Sequence, residues 1–89
     1  MNPYNTRDME QTFYLLTTLI YGTDDVTDGH SLYAKLEDAM KAFEEEVADC
    51  QENFNPTKGN FTTDLPRCKE WLTEDGLGYC VTIVEMKPL

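Results

Sequence analysis

No apolar run in the 89-residue chain approaches the ~18 residues of a membrane span. The longest apolar-rich stretch, Phe13 to Tyr21, is interrupted by Thr17 and Thr18. Basic residues are scarce as well. Seven Lys and Arg stand against seventeen Asp and Glu, a formal charge of −10 and a pI near 4.2. Such a chain has no basic footprint for a phosphate backbone, which disfavours direct binding of DNA or RNA. His30 is the single histidine, so multi-histidine zinc centres are excluded and one candidate general base remains, beside no identifiable nucleophile. Cys50, Cys68 and Cys80 are odd in number and form no C-x-x-C pair, which suits reduced, buried thiols better than a disulfide or zinc framework. The first residues, Met1 to Asp8, lack a basic region followed by an apolar one, so no secretory signal is readable and a cytosolic protein is expected. No internal repeat or low-complexity tract is visible.

What is present is the material of one small domain. A mass of 10.2 kDa leaves no room for a second core, since half the chain would fall near the ~40-residue limit for folding unaided. A composition that is 40% hydrophobic and 11% aromatic is ordinary for a globular fold, despite a mean hydropathy of −0.52. Residues 1–89 are therefore read as a single domain, with 1–10, polar and containing Pro3, as a loosely held arm.

Thr12 to Tyr21, rich in aromatic, β-branched and Leu residues and closed by Gly22, predicts a strand. Both of its faces are largely apolar, as in a strand covered on two sides. Gly22 to Ser31, with Asp24, Asp25, Asp28 and Gly29, reads as a loop, Gly29 suiting a positive φ. From Leu32 the period turns helical: Leu32, Leu36, Ala39, Met40, Phe43, Val47 and Cys50 share one stripe, with Ser31 as N-cap and an end near Gln51 ahead of Asn53 to Pro56. Asn53 to Pro66 reads as a long connection whose Phe54 and Phe61 tuck against the core. Arg67 to Thr73 fits either a helix aligned on Leu65, Cys68 and Leu72 or a strand leading into Asp75-Gly76. The strand is favoured because Tyr79 to Met86 is a clear strand and Asp75 to Gly78 a natural hairpin loop before it. The expected fold is α+β: a three-stranded, mainly antiparallel sheet with one amphipathic helix packed on one face, in the order β-α-β-β.

Charge is the most informative pattern. Ten acids and only Lys35 and Lys41 lie between Asp24 and Glu52. At about 100° per residue, Glu37, Asp38, Glu44, Glu45, Asp49 and Glu52 fall opposite the apolar stripe. Five acids from Glu44 to Glu52 occupy the last turns, where the helix dipole makes each unfavourable by roughly 0.3–1 kcal/mol if unscreened. A solubilising surface is the plainer account of this ridge. The functional account is that carboxylates about 5–6 Å apart present to a basic groove something like a row of phosphates.

The helix Leu36-Glu37-Asp38-Ala39-Met40-Lys41-Ala42-Phe43-Glu44-Glu45-Glu46 and the hairpin Asp75-Gly76-Leu77-Gly78-Tyr79-Cys80-Val81 give this small acidic domain a likeness of type. It resembles the accessory proteins of phages and mobile elements, among them anti-CRISPR proteins. The resemblance implies stoichiometric inhibition of a host protein, with an acidic surface where nucleic acid would lie. Those proteins share no common motif, so it assigns no site residue.

Other chemistry finds little support. Asp24 to Gly29 begins like a calcium loop, but its third ligand position is Val26 and its twelfth is Lys35, where a bidentate Glu belongs. A weak cation site would have only Asp24, Asp28 and His30. Gly76-x-Gly78 lacks the lysine and the following helix of a phosphate loop. Tyr14, Tyr21, Trp71 and Tyr79 are candidates for an aromatic patch on the sheet face away from the helix, with core packing as the alternative. That second face requires a cover: loop aromatics, a second copy of the chain, or a partner. The expectation is a non-enzymatic module that binds a basic, nucleic-acid-handling host protein through Glu37, Asp38, Glu44, Glu45, Asp49 and Glu52, without cofactor or metal. The alternative is a homo-oligomeric assembly protein joined through the sheet face, and a third reading is a small enzyme around Asp24, Asp28 and His30.

Overall fold

Nine residues with apolar side chains on both sides, Phe13–Tyr21, form β1, a central strand in the computed structural model, which describes residues 12–87. A turn closed by Gly22 N–H donating to Asp25 O leads into β2, Val26–Tyr33. Helix α1, Leu36–Glu52, a 3-10 turn over Pro56–Lys58, β3 (Gly59–Leu65), β4 (Cys68–Thr73) and β5 (Gly78–Met86) follow. The five strands make one sheet in the order β2-β1-β5-β4-β3, and every neighbouring pair is antiparallel.

The expected three-stranded sheet in the order β-α-β-β is thus corrected to five strands in the order β-β-α-β-β-β. The two strands absent from that expectation, β2 and β3, are the two edges of the sheet. An edge strand has one pairing neighbour and needs little burial, so Asp28, Gly29, Ser31, Asn60 and Asp64 are tolerated in positions that look like loop. Gly29 lies within β2 and does not have a positive φ, contrary to expectation. Leu32 and Ser31 are strand residues, not the first helical position and its cap. The N-cap of α1 is Lys35, which makes no side-chain capping bond.

Between Ala39 and Cys50 the expected stripe holds. Ala39, Phe43, Val47 and Cys50 are buried and pack on Leu16 of β1, Trp71 of β4 and Tyr79, Val81 and Ile83 of β5. Ala, Leu, Met and Glu favour the helix intrinsically, and Glu37 and Asp38 complement the dipole in its first turn. Asn53 ends it: its backbone N–H donates to Cys50 O and its side-chain Nδ2 to Asp49 O at 3.0 Å. The 3-10 turn begins with Asn55 Oδ1 accepting from Thr57 N–H at 3.0 Å.

The helix links the two sheet edges, because β2 precedes it and β3 follows. Its seventeen residues span about 25 Å, against roughly 19 Å between the outer strand axes. It joins one edge to the other, and its contacts fall mainly on β1 and β5, with fewer on β2. The strand assignments for β4 and β5 agree with the sequence reading. Phe54 packs against the core, whereas Phe61 is 40% exposed and not part of it.

Gly78 is fixed by space and by backbone. Its φ is 152°, and a Cβ there would overlap the carbonyl oxygen of Trp71. Gly78→Ala is expected to cost at least the ~1–3 kcal/mol of an overpacked site, and Phe43→Ala about 3–5 kcal/mol. Urea unfolding measures both, and an alanine at either position that unfolds at the parent midpoint contradicts this packing.

Candidate protein-binding surfaces

The acids assigned to a site from the sequence come together as expected in one respect. Glu37, Asp38, Glu44, Glu45, Asp49 and Glu52 all lie on α1 and all are exposed. At 100° per residue they occupy an arc of about 140°, opposite the buried stripe. The ridge is about 22 Å long. Among the described residues the ion pairs are His30–Asp28 and Lys69–Asp64, so none of the six acids is paired, and the spacings Glu37–Lys41 and Lys41–Glu45 close no salt bridge. No basic residue sits in the last turn.

The opposite side of the sheet differs in chemistry. Strand register places Val26, Asp28, His30 and Leu32 of β2 beside Leu15, Thr17, Leu19 and Tyr21 of β1. Cys80, Thr82, Val84 and Met86 of β5 come next, followed by Cys68, Glu70 and Leu72 of β4. The helix covers none of this face. Val26, Leu32, Leu65, Val84 and Met86 are between 46% and 59% exposed. The expected aromatic patch is not there: Trp71 and Tyr79 are buried under the helix, Tyr14 packs against the same core, and only Tyr21 belongs to the open face.

Two polar networks sit on that surface: Thr17, His30 and Asp28 at its β2 edge, and a trio centred on Glu70. Glu70 accepts from Tyr21 Oη at 3.0 Å and from Thr62 Oγ1 at 2.7 Å, so its carboxylate reaches across β5 to β1 on one side and to β3 on the other. A register shift between Phe61 and Thr63 inserts the residue that brings Thr62 to it. Nothing in the sequence marks this trio, because Tyr21 and Glu70 meet only through the register of three strands. Burial, followed by the Glu70 hydrogen bond, pushes the Tyr21 hydroxyl up to about 12. Burial and then Cys68 and Glu70 raise the Cys80 thiol. Cys50, in the helix stripe, is pushed up to about 11 by burial and by Glu46 and Asp49. Raised thiols are poor nucleophiles at neutral pH.

Asp28 and His30 lie on β2, where His30 Nε2 is 3.0 Å from Asp28 Oδ2 and Nδ1 is 3.1 Å from Thr17 Oγ1. Asp24 is not gathered with them: among the described residues no group of three or more His, Cys, Asp or Glu is placed to hold a metal ion. No helix among these residues is long and apolar enough to cross a membrane. The expected N-terminal arm lies outside the described residues. No protein-family model, curated protein or solved structure matches the chain.

The raised groups fix the alkaline limit of stability. Cys50 binds its proton up to about 11 in the fold against 9.0 ordinarily, and Tyr21 up to about 12 against 10.0. Between those values the unfolded chain holds fewer protons than the folded one, so stability present below pH 9 is lost as pH rises toward 12. Urea midpoints are expected to fall steadily from pH 9 upward, with Tyr21→Phe flattening the part above pH 10. A midpoint independent of pH over that range contradicts the burial of both groups.

Proposed function

We propose that this is a non-enzymatic acidic binding protein of the cytoplasm, a phage-type inhibitor that engages a basic, nucleic-acid-handling host protein through the ridge of α1. The observation that carries this reading is the set of six exposed acids on one helical face with no ion pair among the described residues. Six charges over about 22 Å is one per ~4 Å, close to the ~3.4 Å spacing of phosphates along one nucleic-acid strand. A groove built for phosphates meets comparable charge here, on a rigid element and without base or sugar. The ridge also works against the helix: acids near its C-terminus oppose the dipole. Residues that cost stability and remain unpaired are what a recognition surface requires, since pairing them internally would remove the charge a partner reads.

The experiment is capture of partners from host lysate on immobilised protein, beside a variant with Glu44→Lys, Glu45→Lys and Asp49→Lys. A nucleic-acid-binding protein is expected on the parent, displaced by added nucleic acid and by moderate salt, with at least tenfold weaker retention on the variant. The variant should be as stable as the parent or more so, because the changes favour the dipole. Equal retention by both proteins, or a partner indifferent to nucleic acid, contradicts the ridge as the site.

A second reading concerns the sheet. The five large apolar side chains between 46% and 59% exposed all belong to the face opposite α1. Five strands at about 4.8 Å, of six to nine residues each at about 3.3 Å per residue, give a face of roughly 600 Å² in plan. That approaches the ~800 Å² per partner of a standard interface once side-chain relief is included. A second copy fits it, since sheet-to-sheet contact leaves the two acidic ridges outermost and as far apart as the fold allows. Light scattering at micromolar concentration is then expected to give twice 10.2 kDa, and Val84→Lys to return the mass to one chain. A single-chain mass for the parent removes this reading and leaves the ridge untouched.

A further inference from the structure

The two edges of the sheet are not equally guarded. An exposed edge is a template for another strand, and natural edges are blunted by bulges, prolines or lysines. β3 has such guards: a register shift between Phe61 and Thr63, and Pro66 directly after its end. β2 has none. Its eight residues, Val-Thr-Asp-Gly-His-Ser-Leu-Tyr, include no proline, lysine or arginine, and they pair with β1 without a break in register. Among the described residues nothing pairs with its outer side.

The direction of its free groups follows from the hairpin. Gly22 N–H donates to Asp25 O, so these two form a hydrogen-bonded pair, and such pairs alternate along an antiparallel ladder. Counted along the register from there, Thr27, Gly29 and Ser31 exchange hydrogen bonds with β1. Val26, Asp28, His30 and Leu32 turn their N–H and C=O groups outward, with their side chains on the open face. Val26 and Leu32, at 59% and 58%, are the most exposed large apolar residues among those described.

This stretch is self-complementary about Gly29. Asp28 and His30 flank it, then Thr27 and Ser31, then Val26 and Leu32. A second β2 laid antiparallel across a two-fold axis at Gly29 sets Asp28 against the partner's His30 and Val26 against the partner's Leu32, each twice. Every outward group then meets another, which gives about eight backbone hydrogen bonds. Sliding the register by two residues opposes Asp28 to the partner's Asp28, or His30 to the partner's His30, and forfeits the complementarity. Nothing in its own chain calls for glycine at position 29: its φ is not positive, and a Cβ there would meet nothing within 4 Å. Glycine weakens a strand and marks places where another backbone approaches closely.

We infer that β2 is a dimerisation edge, where two copies of the chain join their five-stranded sheets into one continuous antiparallel sheet. Both helices lie on the same side of it. Because α1 follows β2 and precedes β3, its acidic last turns point away from the axis, and the contact is independent of the ridge's role. It competes with the stacking of open faces, which would leave the two Gly29 residues on the outer sides of the stacked sheets.

Cysteine substitution tests the register. Gly29 sits on the axis in a non-hydrogen-bonded pair, whose Cα atoms are about 4.5 Å apart, within the ~4.4–6.8 Å that a disulfide spans. Gly29→Cys oxidised with diamide is therefore expected to run mostly as a linked dimer on a non-reducing gel. Thr27→Cys and Ser31→Cys, each about 13 Å from its own equivalent in this register, should link no more than the parent, which keeps Cys50, Cys68 and Cys80. Val84→Lys, which disrupts stacking of the open faces, should leave the Gly29→Cys link intact. Light scattering at micromolar concentration is expected to give twice 10.2 kDa for the parent and half that mass for His30→Asp, which sets like charges opposite each other at the axis. Asp28→His combined with His30→Asp restores the complementary pairs and the mass. The proposal is overturned by a single-chain mass for the parent, by Thr27→Cys or Ser31→Cys linking as fully as Gly29→Cys, by loss of the link with Val84→Lys, or by a folded double variant that stays at the mass of His30→Asp.

Discussion

One helix can cover one face of a sheet, and the rest of this structure depends on that constraint. The central strands β1 and β5 are apolar on both sides, yet only Leu16, Val81, Ile83 and Tyr79 lie beneath α1 in the core. Wrapping all the apolar surface would take a second helix or a second sheet, and neither is present among the described residues. The protein divides accordingly into three zones. Under the helix is an apolar core with no buried charged residue among those described. Above the helix is dense negative charge, and below the sheet is apolar surface.

The two outer zones impose different requirements. Exposed aliphatic surface costs free energy in proportion to its area and is indifferent to salt. Clustered carboxylates repel one another, oppose the dipole at the end of α1, and are screened over about 8 Å at physiological ionic strength. Separating them by the thickness of a helix and a sheet keeps each usable without spoiling the other. The Glu70 network shows how a charge is accommodated on the apolar side: Tyr21 and Thr62 hold both carboxylate oxygens, so no acceptor is left for a neighbour to desolvate unpaired. The ridge has no such internal partners among the described residues, and that difference is what the proposed recognition role rests on.

The sequence made these zones legible to different degrees. Helical periodicity from Leu36 to Cys50 and the unbroken β-branched run of β5 were readable because burial writes its period directly into residue type. The acid ridge followed from the same geometry. Edge strands were not readable, since β2 carries Asp28, Gly29 and Ser31 and is held by pairing with β1 and not by its own burial. That error displaced Leu32 and the helix cap. It also hid that the helix joins one edge strand of the sheet to the other. The aromatic residues were visible in composition but not in placement. Trp71 and Tyr79 pair in register on adjacent strands, and only that register puts both on the helix side, where with Phe54 they line a cavity instead of an outer patch.

The account's central claim is that α1, and no other surface, meets the basic partner. Amide hydrogen exchange of the protein alone and in complex with its captured partner tests this most directly. The account predicts added protection concentrated in Leu36–Glu52, with β2 and β3 unchanged by the partner. Protection confined to the sheet strands, with α1 exchanging as it does in the free protein, would contradict it.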